Sequence, residues 1–134
     1  MIVAIDPGRE KCGMAAMERD GTCTWHRVVP RTDFLAEVER VIQVQAVEKW
    51  VVGSGTTSAE VVASLSSRFG ADNVVVVDER DSTLEARFVY FEEHPPRWIW
   101  RWLPKGLLYP PCAIDDYAAI VLGRRFLGRG ERSR

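Results

Sequence analysis

The chain has 134 residues, of which 46% are hydrophobic and 28% charged, and this composition indicates one folded domain rather than a disordered or collagen-like chain. Its 18 basic and 19 acidic residues give a net charge of −1, which excludes a wholly basic surface for nucleic acid but allows a local basic patch. The three cysteines include no CxxC pair, which argues against a structural zinc site and for a reducing compartment. Because the sequence contains neither a signal-peptide hydrophobic region nor a membrane-length apolar run, we expect a cytoplasmic protein with no membrane partner.

The first part of the chain predicts three strands followed by a helix. Ile2–Ile5 is an apolar run that ends in Asp-Pro-Gly, a strong turn signal. Gly13–Met17 and Thr22–Val29 flank an Asp-Gly pair, which favours a hairpin. Arg31–Asp33 then offers N-cap residues for a helix. The apolar face of this helix is expected to comprise Phe34, Leu35, Val38, Val41 and Ile42.

Two further strands are predicted by short apolar runs. Trp50–Val52 is the first, and Val74–Val77 consists only of valine, which is typical of a central parallel strand buried on both faces. Between them, Thr57 and Glu60 have the spacing of a capping box, and the helix that they begin is expected to end at Gly70.

The remaining segments complete an α/β pattern. Ser82 and Glu85 have the spacing of a second capping box, the five prolines of the segment 94–112 predict irregular structure, and Asp115–Leu127 predicts a closing helix. The order of elements predicts an α/β domain over residues 1–127, with a mixed sheet of about five strands and helices on both faces. Three of these strands are hairpin-linked and antiparallel, and two are parallel. Residues 128–134 are expected to form a flexible, arginine-rich tail.

Acidic residues follow the strands that are predicted to be parallel. Asp6 ends the first strand, Asp78 and Glu79 follow the valine strand, and Asp115 and Asp116 open the last helix after a long loop. Because the carboxyl ends of parallel strands meet at one edge of a sheet, we expect these carboxylates to converge there. Clustered carboxylates repel each other unless a cation joins them, and oxygen ligands of this kind suit Mg²⁺ or Mn²⁺. Two such ions would clamp a phosphodiester and activate the attacking water.

Each acid also has a purely structural interpretation. Asp6 precedes Pro-Gly and is compatible with a simple turn residue, and the residues around Asp78 are compatible with a solvated loop. Asp115 and Asp116 are compatible with acids that are favoured by the dipole at the start of a helix. The three positions together are more specific for a metal site than any one of them alone.

Other features give weaker signals. The loop from Gly53 to Ser58 is compatible with a phosphate-binding helix start, but a plain strand-to-helix turn is favoured because the sequence lacks the Walker ending. Arg97 and Arg101 lie among three tryptophans, which suits either base stacking and phosphate contact or an extended segment that covers the core. The two histidines, His26 and His94, lack ligand-like partners and are expected to have no functional role.

Three short motifs together resemble a known family. These are Ile5-Asp6-Pro7-Gly8 with Gly13, Val77-Asp78-Glu79-Arg80 before Ser82-Thr83, and Asp115-Asp116-Tyr117-Ala118-Ala119. In order and spacing they resemble the YqgF/RuvX family of RNase H-like Holliday-junction resolvases and pre-16S rRNA processing nucleases. The first motif is also similar to that of the RuvC resolvases. The resemblance implies an RNase H-like fold and covers nearly the whole chain in element order.

The resemblance implies a phosphodiesterase that depends on Mg²⁺ or Mn²⁺, with two ions. Asp6 would ligate both ions and Glu79 would supply the later strand's acid. Asp115 is the first choice, and Asp116 the second, for the acid that opens the last helix. Two features depart from the family pattern: Gly53-Ser54-Gly55 replaces the family's usual Gly-x-Pro loop, and the segment 94–112 is unlike the family's compact form.

The leading hypothesis is therefore an endonuclease that acts on structured RNA or branched DNA. Arg9, Lys11 or Arg80 would steady the substrate backbone. A resolvase needs two active sites on one junction, so a homodimer would suit that substrate. The alternative is a non-catalytic nucleic-acid-binding module with the same fold. An ATPase of the actin/hexokinase type ranks last, because such enzymes need two lobes and this chain supplies one.

Overall fold

The protein is described here by a computed structural model, which covers residues 1–55, 57–78, 86, 89–90 and 115–132. Its strands and the helices with described bounds are β1 (Ile2–Asp6), β2 (Lys11–Met17), β3 (Cys23–Pro30), α1 (Phe34–Val44), β4 (Lys49–Gly53), α2 (Ser58–Phe69), β5 (Val74–Val77) and α3 (Asp115–Arg132). Ala86, Val89 and Tyr90 are helical as well. The second predicted capping box and the segment 94–112 lie outside the described residues.

The five strands form one mixed sheet in the order β3-β2-β1-β4-β5. β1 is antiparallel to β2 and β2 to β3, whereas β4 is parallel to both β1 and β5. The predicted α/β class and mixed sheet are confirmed, with three hairpin-linked antiparallel strands and two further parallel strands. The topology places β1 in the middle of the sheet.

Helices cover both faces of the sheet, as predicted. Alternating residues of each strand point to opposite faces. On one face, Val3 and Ile5 of β1 pack with α1 and α2. On the other face, Ile2 and Ala4 of β1 pack with α3. The helix lies close to the sheet at Gly123, where a β-carbon would overlap the sulfur of Met17.

The predicted position of the valine strand is wrong. β5 lies at an edge of the described sheet, where β4 is its one neighbour, and the side chain of Val76 is 48% exposed. A run of valines indicates a strand because β-branched side chains suit extended backbone. The run does not encode how many neighbouring strands will flank it.

Two local predictions about the helices are also corrected. Phe34, Val38 and Val41 are buried on α1, but Leu35 is 56% exposed because it lies about 100° around the helix axis from Phe34. At α2, Thr57 occupies the N-cap position, but its hydroxyl makes no hydrogen bond. Glu60 does not complete a capping box, since its carboxylate pairs with Arg31 at 3.0 Å.

The start of α1 differs slightly from its predicted form. Arg31–Asp33 forms a short 3-10 turn, and the Asp33 side chain makes no capping hydrogen bond. α2 ends at Phe69, and Gly70 follows with a positive φ of 95°, in agreement with the predicted stop.

None of the helices in the described part of the chain combines the length and the apolar character that crossing a bilayer requires.

Candidate functional site

Asp6 lies at the carboxyl end of the middle strand. It pairs with Gly13 across the β1–β2 ladder and is partly buried. Because Asp6 alternates with Ile2 and Ala4, it belongs to the sheet face that α3 covers. The prediction that this acid ends a buried strand is confirmed, and that strand is the third of the five in the sheet.

The turn that follows Asp6 is closely packed. A β-carbon on Gly8 would overlap the backbone carbonyl oxygen of Lys11, so a glycine is needed there. Arg31 also donates a hydrogen bond from Nη1 to the carbonyl oxygen of Gly8, at 3.3 Å. Two candidates for substrate contact, Arg9 and Lys11, are exposed at this turn. Sequence analysis missed Arg31, whose contact with the turn depends on the sheet having formed.

The three parallel strands end level with one another. Ile5 is the partner of Val52, and Gly53 is the partner of Val77. Asp78 follows directly and is exposed. The carboxyl ends of these strands therefore lie side by side, and the convergence of the carboxylates that follow them stays a prediction. Glu79 and Arg80, and also Arg97 and Arg101, lie outside the described residues.

The loop between β4 and α2 is held by backbone hydrogen bonds, one of them to β5. Ser54 donates its backbone N–H to the carbonyl oxygen of Val77, and Ser58 donates to that of Gly55, both at 3.1 Å. These two N–H groups are used within the protein rather than directed at a ligand. The geometry agrees with the interpretation as a plain strand-to-helix turn.

Asp116 is a nearly buried acid in the first turn of α3, and both of its oxygens accept hydrogen bonds. Oδ2 lies 2.7 Å from Nδ1 of His26, and Oδ1 lies 3.1 Å from the backbone nitrogen of Tyr117. The Asp116 side chain is only 12% exposed. Asp115 is the first residue of α3, as predicted.

His26 has the partner that sequence analysis did not find. It lies on β3 opposite Ala15, and its ring packs 4.8 Å from that of Tyr117, which in turn meets Tyr90 edge-on at 5.4 Å. A carboxylate can only accept hydrogen bonds, so Nδ1 of His26 carries the proton of this contact. Sequence analysis gave His26 no ligand-like partner, and its partner in the structure is a single carboxylate. His94 lies outside the described residues.

Among the predicted metal ligands, Asp6 has the chemistry and the position that a hard divalent cation requires. Asp6 offers carboxylate oxygens of the type that Mg²⁺ prefers, at the edge where the parallel strands end. Within the described ranges, no group of three or more His, Cys, Asp or Glu residues is placed to hold a metal ion. Two of the four predicted ligands, Glu79 and the Asp115 side chain, fall outside that set, and Asp116 is already engaged with His26.

Comparisons with known proteins add little to this geometry. No protein-family model matches the chain. No curated protein matches it either. Among solved structures, the crystal structure of Pelota from Archaeoglobus fulgidus is similar at 20% sequence identity, with a TM-score of 0.43. That match covers 57% of this chain and 26% of the Pelota chain. A likeness of this size supports no inference about function.

Proposed function

We propose that this protein is a metal-dependent endonuclease that hydrolyses phosphodiester bonds in structured RNA or branched DNA. The observation that carries the proposal is the position of Asp6. It ends the middle strand of a mixed five-stranded sheet, on the face covered by a helix whose first two residues are Asp115 and Asp116.

The ends of the neighbouring strands support a site built around Asp6. The strands β1, β4 and β5 end level, and the residue after Asp78 is Glu79. Asp6, Glu79 and one acid of α3 would hold the metal. Two Mg²⁺ or Mn²⁺ ions bound there would supply the activation of water and the stabilisation of charge on the phosphate.

The chain's own residues would bind and orient the substrate. Arg9 and Lys11 are exposed at the turn that follows Asp6, where they would contact phosphates of the nucleic acid backbone. Such contacts weaken as salt rises because binding releases counterions. We propose that the protein acts in the cytoplasm. Cleavage of a four-way junction would further require a homodimer.

The decisive experiment is cleavage of labelled substrates in Mn²⁺ by the wild type and by Asp6→Asn. A four-way DNA junction and a precursor-16S RNA fragment are tested side by side. Asp72→Asn is the matched control, because it makes the same chemical change at an exposed acid beside the opposite end of β5. We expect the wild type and Asp72→Asn to cleave one substrate class, and Asp6→Asn to lose cleavage while keeping its fold.

Full cleavage by Asp6→Asn would overturn the proposal. Salt-sensitive binding by the wild type without cleavage in Mn²⁺ would replace it with the non-catalytic nucleic-acid-binding module. The substrate that is cut decides between RNA processing and junction resolution, and the mass of the active species decides whether a dimer is involved.

A further inference from the structure

The contact between His26 and Asp116 joins β3 to the first turn of α3. It links residues that are 90 positions apart in the chain, over 2.7 Å. The ring of Tyr117 packs against His26, so the next residue of the helix strengthens the same junction. Together these contacts fix both the height and the rotation of the start of α3 on the sheet.

The surroundings of Asp116 suit an anchor better than a metal ligand. Its carboxylate is mostly buried, and each oxygen already accepts a hydrogen bond from a protein N–H group. Binding a cation would have to compete with both donors. An asparagine could keep both contacts, since its oxygen would accept from Tyr117 and its NH₂ would donate to the other tautomer of His26.

We propose that His26 and Asp116 are a positioning pair, and that the metal of the proposed nuclease is therefore ligated by Asp115 and not by Asp116. Of the two acids of α3 that the proposed function offers for the metal, the engagement of Asp116 leaves Asp115. The assignment of the metal rests on the proposed function. The positioning role rests only on the described contacts.

The test compares the two neighbouring acids by the same substitution. Asp115→Asn and Asp116→Asn each remove one negative charge from the first turn of α3. Mn²⁺ binding is measured by isothermal titration calorimetry, thermal unfolding by circular dichroism, and kcat on whichever substrate the wild type cleaves.

We expect Asp115→Asn to weaken Mn²⁺ binding by about tenfold or more, because ligand charge sets the affinity of oxygen sites. Asp116→Asn should change it by less than about threefold, because the amide retains the hydrogen bonds. Asp116→Ala and His26→Ala should each lower Tm by about 3–6 °C through the lost contact. Their double variant should lose less than the sum of the two. Asp116→Asn should recover most of the kcat and the Tm that Asp116→Ala loses.

The outcomes separate the two parts of the inference. Loss of Mn²⁺ binding in Asp116→Asn, with Asp115→Asn unchanged, would make Asp116 the ligand and overturn the assignment. Additive losses of Tm for His26→Ala and Asp116→Ala would overturn the positioning pair. If the wild type binds no Mn²⁺ and cleaves nothing, the proposed function fails and the metal assignment with it, while the thermal coupling still decides the pair.

Discussion

Arg125 of α3 donates a hydrogen bond from Nη1 to the backbone carbonyl oxygen of Asp78, at 2.8 Å. The last helix thus holds the chain at the point where it leaves β5. In sequence, Asp78 is followed by Glu79, which the proposed function assigns to the metal. Arg125, which is distant in sequence, therefore holds the end of β5, and the proposed ligand Glu79 follows that strand end in the chain.

Removing the hydrogen bond from Arg125 should weaken metal binding. Arg125→Ala is expected to lower Mn²⁺ affinity by up to about tenfold, the low end of the loss for a partner of a metal ligand, because Arg125 holds the residue before the proposed ligand. Calorimetric titration of Mn²⁺ measures the effect. Arg124→Ala is the matched control, because Arg124 is the exposed neighbour on the same helix. Equal Mn²⁺ affinities for the two variants would show that metal binding does not depend on the Arg125 hydrogen bond.

A second prediction concerns Glu37, a buried acid of α1 that pairs with Arg27 of β3. Its side chain is 8% exposed and accepts from Arg27 at 2.5 Å and from Arg40 at 3.3 Å. Arg27 also lies 4.3 Å from the ring centre of Trp25. Arg27→Ala should destabilise the protein by about 2 kcal/mol, since it leaves a buried carboxylate with one weaker partner.

Arg40→Ala provides the comparison for Arg27→Ala. Arg40 is largely exposed, so its removal should cost less than about 1 kcal/mol. Urea unfolding monitored by tryptophan fluorescence gives both free energies. A larger loss for Arg40→Ala than for Arg27→Ala would contradict the assigned roles.

A third prediction tests how closely α3 packs on the sheet. A β-carbon at Gly123 would overlap the sulfur of Met17 and lie 3.3 Å from the β-carbon of Ala4. Gly123→Ala should destabilise by about 1–3 kcal/mol, because the methyl group overfills a closely packed contact. At Gly128, on the same helix, nothing lies within 4 Å of an added β-carbon. Gly128→Ala should therefore stabilise by up to about 1 kcal/mol through helix propensity alone. In urea unfolding, the two substitutions should change the free energy of unfolding in opposite directions. Changes in the same direction would contradict the close approach of α3 to the sheet.

A fourth prediction concerns pH. The side-chain hydrogen bond from Arg19 lowers the pKa of Glu48 below its ordinary value of 4.5. A carboxyl with a lowered pKa in the folded state stabilises that state above its unfolded pKa. The contribution is lost as the pH falls through the lowered value. Glu48→Gln should therefore be less stable than the wild type near neutral pH, and the difference should shrink as the pH falls below 4.5.

Because Glu48 is a surface residue, the effect is expected to be small and to weaken in high salt. Urea unfolding of the two proteins across this pH range measures it. In an Arg19→Ala background, the pH dependence of the Glu48→Gln difference should largely disappear. A difference that stays constant from neutral to acidic pH would contradict the role of this ion pair.

The sheet was predictable because its signals are local. β1 and β4 are short apolar runs that end at turn residues, at Asp6-Pro7-Gly8 and Gly53-Ser54-Gly55. Crossover handedness and strand order then leave few arrangements. Capping was predicted less well, because Thr57 and Glu60 have the right spacing but Arg31, from a distant turn, takes the glutamate. Whether a glutamate caps its own helix or pairs elsewhere depends on residues that the fold brings near it. The spacing of Thr57 and Glu60 carries no information about those residues.

The site was predictable only in its positions along the chain. Alternation of side chains places Asp6 on the face of α3, and the order of strands places its neighbours. The contact between His26 and Asp116 could not be predicted from spacing, since it depends on where a helix that follows a long loop crosses the sheet. The strand alternation of β3 gives only the face on which His26 lies.

The late position of α3 in the chain has a consequence for folding during synthesis. The face of the sheet formed by Ile2, Ala4 and Met17 is buried by a helix that the ribosome makes after all five strands. Until that helix emerges, the nascent sheet exposes an apolar surface of the kind that chaperones bind and that promotes aggregation. A nascent chain arrested just before Asp115 should therefore be protease-sensitive and chaperone-bound, and release of the remaining residues should convert it to a protected form.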